Sequence, residues 1–169
     1  QWRAMSTARR GAMTTIRSRP DLLLVAGVAA AVLMLVLVVA GSDTTIDVTE
    51  PFSGKLVTGQ DARSYYGLNL ADLYEGRTNW NTIGAYPYSP AFAQLVYPLN
   101  LLPWPIFMAA WTGLLLAAVF FLTGPRLLLL GLVLGAMEIA GGNISLLLTL
   151  AIVAGFRHPW TWAFVILTK

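Results

Sequence analysis

The chain has 169 residues, 57% of them hydrophobic and 11% charged, with a formal net charge of +3 and no cysteine. A soluble domain carries about 25% charged residues, so this composition excludes a disordered tail and an ordinary aqueous domain and points to an integral membrane protein. The basic pI of about 9.5 does not read as a nucleic-acid patch: Arg3, Arg9, Arg10, Arg17 and Arg19 all precede the first apolar run, where they anchor a cytoplasmic terminus.

Residues 22–40 are nineteen consecutive uncharged residues. That exceeds a signal-peptide core and suits a first spanning helix, although the small residues Ala40, Gly41 and Ser42 keep a cleaved signal as an alternative. Segment 1–21 carries a charge of +4 and segment 41–88 a charge of −3, which places the N-terminus inside and the long loop 41–103 outside. Six of the eight acids lie in that loop, together with Tyr65, Tyr66, Tyr74, Trp80, Tyr86 and Tyr88. A loop of this length on a small membrane protein is usually functional. Ser89 can cap a helix that begins at Pro90 and shows Phe92, Leu95, Val96 and Leu99 at helical spacing. The fourteen residues before Pro103, interrupted by Pro98, predict an amphipathic helix lying along the membrane surface.

Further helices are expected at about 104–123, 126–141, 143–156 and 160–169. With 89–102 on the surface, Arg126 and Arg157 both fall inside; if that helix spanned, both would fall outside, so the positive-inside rule selects the surface assignment. The same topology brings Asp61, the 138–143 turn and Lys169 to the outer face. The last run stops after about ten residues and the chain starts without Met, so a fragment of a longer polytopic protein is expected.

Few residues carry chemistry. No nucleotide-binding glycine loop is present, His158 stands alone, and Asp43 with Asp47 forms only a weak carboxylate pair, so neither a metal nor a bound cofactor is expected. Gly131 and Gly135 form a G-x-x-x-G pattern that suits close packing within the chain. Trp104, Trp111, Trp160 and Trp162 suit interfacial belts. Asp61 in GQDARSYYG reads either as a general base or as a solvated loop carboxylate. Glu138 interrupts an apolar segment, where an ionisable residue is functional by default or snorkels to the interface. Asn143 can cap the following helix, and Lys169 can meet a phosphate or remain an interfacial lysine.

In order, GQDARSYYG, YPYSPAFAQLVYPLNLLPWP, EIAGGNISLLL and AFVILTK resemble the N-terminal part of the family 87 glycosyltransferases of the C-type fold, over residues 22–169. The resemblance implies a polytopic all-α bundle that takes a sugar, typically mannose, from a polyprenyl phosphate and passes it to a glycan or glycolipid hydroxyl outside the cytoplasmic membrane. It implies Asp61 as the base and Tyr88, Ser89 and Pro90 as the start of the juxtamembrane helix. Gly142 and Asn143 match part of the family's turn, and Lys169 matches a lysine usually followed by a proline-containing segment. Tyr65, Tyr66, Tyr88, Glu138, Asn143 and Lys169 are the expected substrate-binding residues. A transporter would instead show inverted repeats and broken helices near the midplane, and a non-catalytic scaffold would use the acidic loop to bind a partner.

Overall fold

The computed structural model describes residues 19–42, 57–79 and 82–168, and it is all-helical there, with no β-strand among the described residues. Segment 1–18, the Asp43 and Asp47 pair, Trp80 and Lys169 lie outside the described residues. The helices are α1 (Arg19–Gly41), α2 (Pro90–Asn100), α3 (Trp104–Leu134), α4 (Ala136–Gly141), α5 (Ser145–Gly155) and α6 (Thr161–Thr168), with a 3₁₀ turn at Asp61–Ser64.

Two helices, α1 over Leu22–Gly41 and α3, are long and apolar enough to cross a membrane. Helix α3 is bent double at Gly124, whose φ of 67° and ψ of 174° are far from helical and are followed at once by Pro125. A straight helix would hold Gly131 about 12 Å from Thr123. Instead a Cβ at Gly131 would lie 2.6 Å from Thr123 Cγ2 and 2.9 Å from Val119 Cγ1, so limb 125–134 folds back along limb 104–123. The glycine pattern at 131 and 135 therefore serves packing within the chain. The first limb of 20 residues reaches about 30 Å, and Phe107, Met108, Trp111, Leu115 and Val119 form its buried stripe.

Helix α1 lies beside the returning limb, with Gly27 against Leu128, while Leu33, Leu37 and Val38 share a groove with Ala136 and Ala140. The two therefore run the same way. Helix α5 leaves from the 142–144 turn, and α6 returns along it, with Thr161 Oγ1 donating to the Ala151 carbonyl at 2.8 Å. The end of α6 reaches Ser89, whose N–H meets the Thr168 carbonyl at 3.3 Å and whose hydroxyl donates to the Leu167 carbonyl. The bundle thus has one end bearing Gly124 and Arg126, and an opposite end bearing the loop, the 141–144 turn and Ser89.

Helix α2 begins as its sequence dictates: the Ser89 hydroxyl accepts from the Phe92 N–H at 3.2 Å and Pro90 fills the first turn. Both of its ends belong to the loop end. Ser89 touches α6, and Asn100 donates from Nδ2 to the Tyr65 carbonyl at 2.8 Å and accepts from the Leu68 N–H at 3.2 Å. Its 11 residues, about 16 Å long, lie across that end and do not cross the bundle.

Three details differ from the sequence reading. The expected helix 126–141 is divided at Gly135 into the returning limb and α4. Trp104 and Trp111 are buried, because Tyr66, Phe107 and Tyr65 stack around them and convert them from belt residues to core. Helix α5 is 11 residues long, shorter than the expected 143–156. Trp160 and Trp162 are exposed.

Candidate functional site

Asp61 opens the 3₁₀ turn Asp61–Ser64, which is seated on the 140–144 turn from the far side of the sequence. The Gly59 N–H donates to the Ala140 carbonyl at 2.7 Å, and the Asn143 amide Nδ2 donates to Asp61 Oδ2 at 2.8 Å. This close approach requires glycines. A Cβ at Gly141 would stand 3.2 Å from Asp61 Oδ2, and one at Gly142, whose φ is +76°, would stand 2.6 Å from the Ala62 Cβ. Trp111 holds the turn from below, its Nε1 donating to the Gly142 carbonyl at 2.7 Å.

Asn143 has two tasks. Its Nδ2 fixes one carboxylate oxygen of Asp61, while its Oδ1 accepts the Ser145 N–H at 2.9 Å and so starts α5. Opposite ends of one amide thus serve the carboxylate and the chain entering α5, whose N-cap position is Ile144 with no side-chain cap.

Asp61 lines a cleft of about 360 Å³ with Gln60, Ser64, Pro87, Tyr88 and Asn143. It is the one carboxylate among the described residues of this cleft. Burial raises its carboxyl above the usual carboxylate range, the Asn143 hydrogen bond partly opposes the rise, and the nearby Glu138 charge adds to it. Burial also raises the hydroxyl of Tyr88, with the Tyr65 bond opposing and the Asp61 charge adding. Tyr88 therefore stays a neutral phenol near pH 7, which leaves Asp61 as the one carboxylate among the described residues of the cleft.

The other expected residues separate in space. Tyr65 lies beneath the cleft floor, its ring against Trp111, Phe92 and Tyr88 and its oxygen 2.9 Å from that of Tyr88 while accepting the Ile144 N–H at 3.3 Å. It positions Tyr88. Tyr66 turns the opposite way, packs on Trp104 and Phe107, and donates to the Leu102 carbonyl at 3.1 Å, so it secures the loop and does not reach the cleft. Glu138 sits in α4, close enough for its charge to act on Asp61, with its Oε2 buried and without a hydrogen-bond partner among the described residues. It is absent from the cleft lining.

Two features escaped the sequence. Arg63 lies over Trp104, 3.9 Å from the ring centroid, an exact use of the one basic residue in GQDARSYYG that carries no sequence signal of its own. An apolar groove of about 400 Å³ between α1 and α4, lined by Leu33, Leu37, Val38, Met137 and Ala140, includes Thr58, two residues before Gln60 of the cleft. Comparison with protein-family models, with curated proteins and with solved structures finds no match.

Proposed function

We propose that the chain forms part of a multi-pass membrane glycosyltransferase in which Asp61 is the general base. The observation that carries this reading is the seating of a half-buried carboxylate, raised by burial and oriented by Asn143, in a cleft next to an apolar groove. A carboxylate so placed accepts a proton from a hydroxyl nucleophile. The acceptor oxygen then attacks the anomeric carbon, the bond from that carbon to the carrier phosphate breaks, the phosphate leaves with the electron pair, and Asp61 holds the proton. The displacement inverts the anomeric centre.

A polyprenyl-phosphate sugar, with mannose as the expected sugar, accounts for the groove: its chain lies along α1 and α4 while the phosphate and sugar reach the cleft beyond Thr58. The acceptor is a glycan or glycolipid hydroxyl. The many exposed apolar side chains of α1, among them Leu22, Val25, Val32 and Val36, face lipid acyl chains. In this reading the loop end lies outside the cell membrane, and Arg126 and Arg157 lie at the cytoplasmic side.

The test is transfer of radiolabelled mannose from polyprenyl phosphate mannose to lipid acceptors, using membranes of source cells whose gene for this chain carries Asp61→Asn. Transfer is expected to fall about 10²- to 10⁴-fold. Unchanged transfer in these membranes rejects the assignment.

A further inference from the structure

Asn143 engages one oxygen of Asp61, Oδ2. The other, Oδ1, bonds to no described residue and keeps accessible surface in the cleft. Ser64 follows three residues later, at the end of the same 3₁₀ turn, where side chains three apart eclipse and so share a side. We propose that Ser64 selects the acceptor: its hydroxyl bonds a second hydroxyl of the ring whose attacking hydroxyl is held by Asp61 Oδ1. The acceptor is thereby a polyhydroxylated ring, a sugar or a cyclitol, and not a lone alcohol such as a serine side chain. The role in acceptor choice rests on the glycosyltransferase reading above; the binding of a ring stands on the cleft itself.

The Ser64 hydroxyl is in the same condition as Oδ1. Ser64 lines the cleft with Asp61, and its hydroxyl bonds to no described residue and is not shut off from solvent. Other polar groups of the cleft are committed. Thr82 Oγ1 donates to the Asn79 carbonyl at 2.7 Å, the Tyr88 oxygen lies 2.9 Å from that of Tyr65, and the Asn143 amide serves Asp61 at one end and Ser145 at the other. The Gln60 side chain also bonds to no described residue, but it follows Thr58 and Gly59. Thr58 lines the apolar groove, as does Ala140, whose carbonyl accepts the Gly59 N–H. Gln60 therefore belongs to the side on which the lipid carrier arrives, and Ser64, one turn further along the chain, to the acceptor.

The spacing suits a ring. At about 2.0 Å of rise per residue, Asp61 and Ser64 stand about 6 Å apart along the turn. Two O–H···O bonds of about 2.7–2.8 Å rising from points so spaced meet two hydroxyls carried on one ring. The backbone holds that spacing: the Arg63 N–H donates to the Gly59 carbonyl at 3.1 Å and the Tyr65 N–H to the Ala62 carbonyl at 3.0 Å, while Ala62 is fully buried beneath. Both side chains thus project from one fixed turn. The cleft volume of about 360 Å³ falls in the range of small-molecule sites.

The test uses the protein at the full length its gene encodes, in phosphatidylcholine nanodiscs, with methyl α-mannopyranoside and its four monodeoxy analogues as probes in saturation-transfer NMR titrations. Wild type should bind the parent sugar and bind two of the analogues about three- to tenfold more weakly, one lacking the hydroxyl at Asp61 and one lacking the hydroxyl at Ser64. Ser64→Ala should erase one of these two preferences and leave the other, whereas Ser64→Thr, which keeps the hydroxyl, should retain both. Farnesyl phosphate mannose, a short donor whose own signal shows it bound, should leave the parent sugar's signal in place; displacement would put the ring in the donor position and overturn the acceptor assignment. Absence of binding by wild type, a preference at fewer than two positions, or two preferences untouched by Ser64→Ala would overturn the inference, while the transfer assay with Asp61→Asn still decides the proposed function on its own. Thermal unfolding by tryptophan emission verifies that Ser64→Ala folds; if it does not, the wild-type comparison across the analogues and Ser64→Thr carry the test.

Discussion

Substituting Gly142 by alanine tests the geometry on which the Asp61 site depends. At φ +76° a residue with a Cβ is destabilised by about 1–2 kcal/mol relative to glycine. The new Cβ would also stand 2.6 Å from the Cβ of Ala62 and 3.3 Å from its nitrogen, and Ala62 is fully buried, so the turn and the loop must part. Overpacking of this kind costs about 1–3 kcal/mol, for a total of about 2–5 kcal/mol. Gly76 supplies the control, since its φ is +68° with nothing within 4 Å of a Cβ, so Gly76→Ala carries the backbone cost alone. At about 2–4 °C per kcal/mol, Gly142→Ala should lower the unfolding midpoint by about 4–20 °C and Gly76→Ala by about 2–8 °C. Differential scanning fluorimetry in detergent measures both. The Ala62→Gly, Gly142→Ala double variant should recover the steric part and leave the backbone part, which appears as a favourable coupling in the double-mutant cycle. Equal shifts for Gly142→Ala and Gly76→Ala, or zero coupling to Ala62, would refute the seating of the loop on this turn and with it the juxtaposition of Asp61 and Asn143.

The remaining predictions concern charge, capping and orientation. Because the folded chain holds the Asp61 proton to higher pH than the unfolded chain, Asp61 contributes stability below its unfolded value of about 3.8 that is lost as pH rises through the raised folded value. Asp61→Asn should therefore gain in midpoint relative to wild type as pH rises through that window and keep a constant advantage above it, measured by thermal unfolding from pH 3 to 8. Asn143→Ala removes the one bond that lowers the Asp61 carboxyl, so the acid limb of the transfer rate against pH should move to higher pH; an unmoved limb would dissociate Asn143 from the base. Trp111→Phe strands the buried Gly142 carbonyl and should cost about 1–3 kcal/mol by the same fluorimetric measurement. A cysteine introduced at Arg126 in this cysteine-free chain should react with a membrane-impermeant maleimide only after the cytoplasmic side is opened.

Much of the architecture is written in local sequence. Ser89 and Pro90 announce α2, the Gly124 and Pro125 pair announces the fold-back of α3, and the placement of 89–102 on one end agrees with both ends of α2 meeting the loop end. Asp61 and the 138–143 turn come to one end by helix counting alone. Their direct bond does not follow from counting, because it depends on two glycines letting the backbone approach within a single van der Waals layer. Nor does the division among the tyrosines: Tyr65 and Tyr66 are neighbours in sequence, yet a 3₁₀ turn sends one toward Tyr88 and the other toward Trp104. Trp111 reads as a belt residue because burial by loop aromatics is a long-range property. Lys169 lies outside the described residues, so its expected place at the outer face stays an expectation.

The bond between Asp61 and Asn143 joins residues 82 positions apart, and the partners that hold the loop there, Trp111, Ala140 and Gly142, belong to chain synthesised after it. When Asp61 leaves the ribosome its seat does not exist. The loop must wait until limb 104–123 has formed, Gly124 has turned the chain, and 125–144 has come back to meet it. Closure of so long a loop is slow compared with helix formation, so the carboxylate spends assembly solvated and unraised. The setting of this carboxylate is thereby a late product of biogenesis: a chain arrested before residue 143 would have Asp61 in its sequence but not its seat, and the turn at Gly124 sets the moment at which one becomes the other.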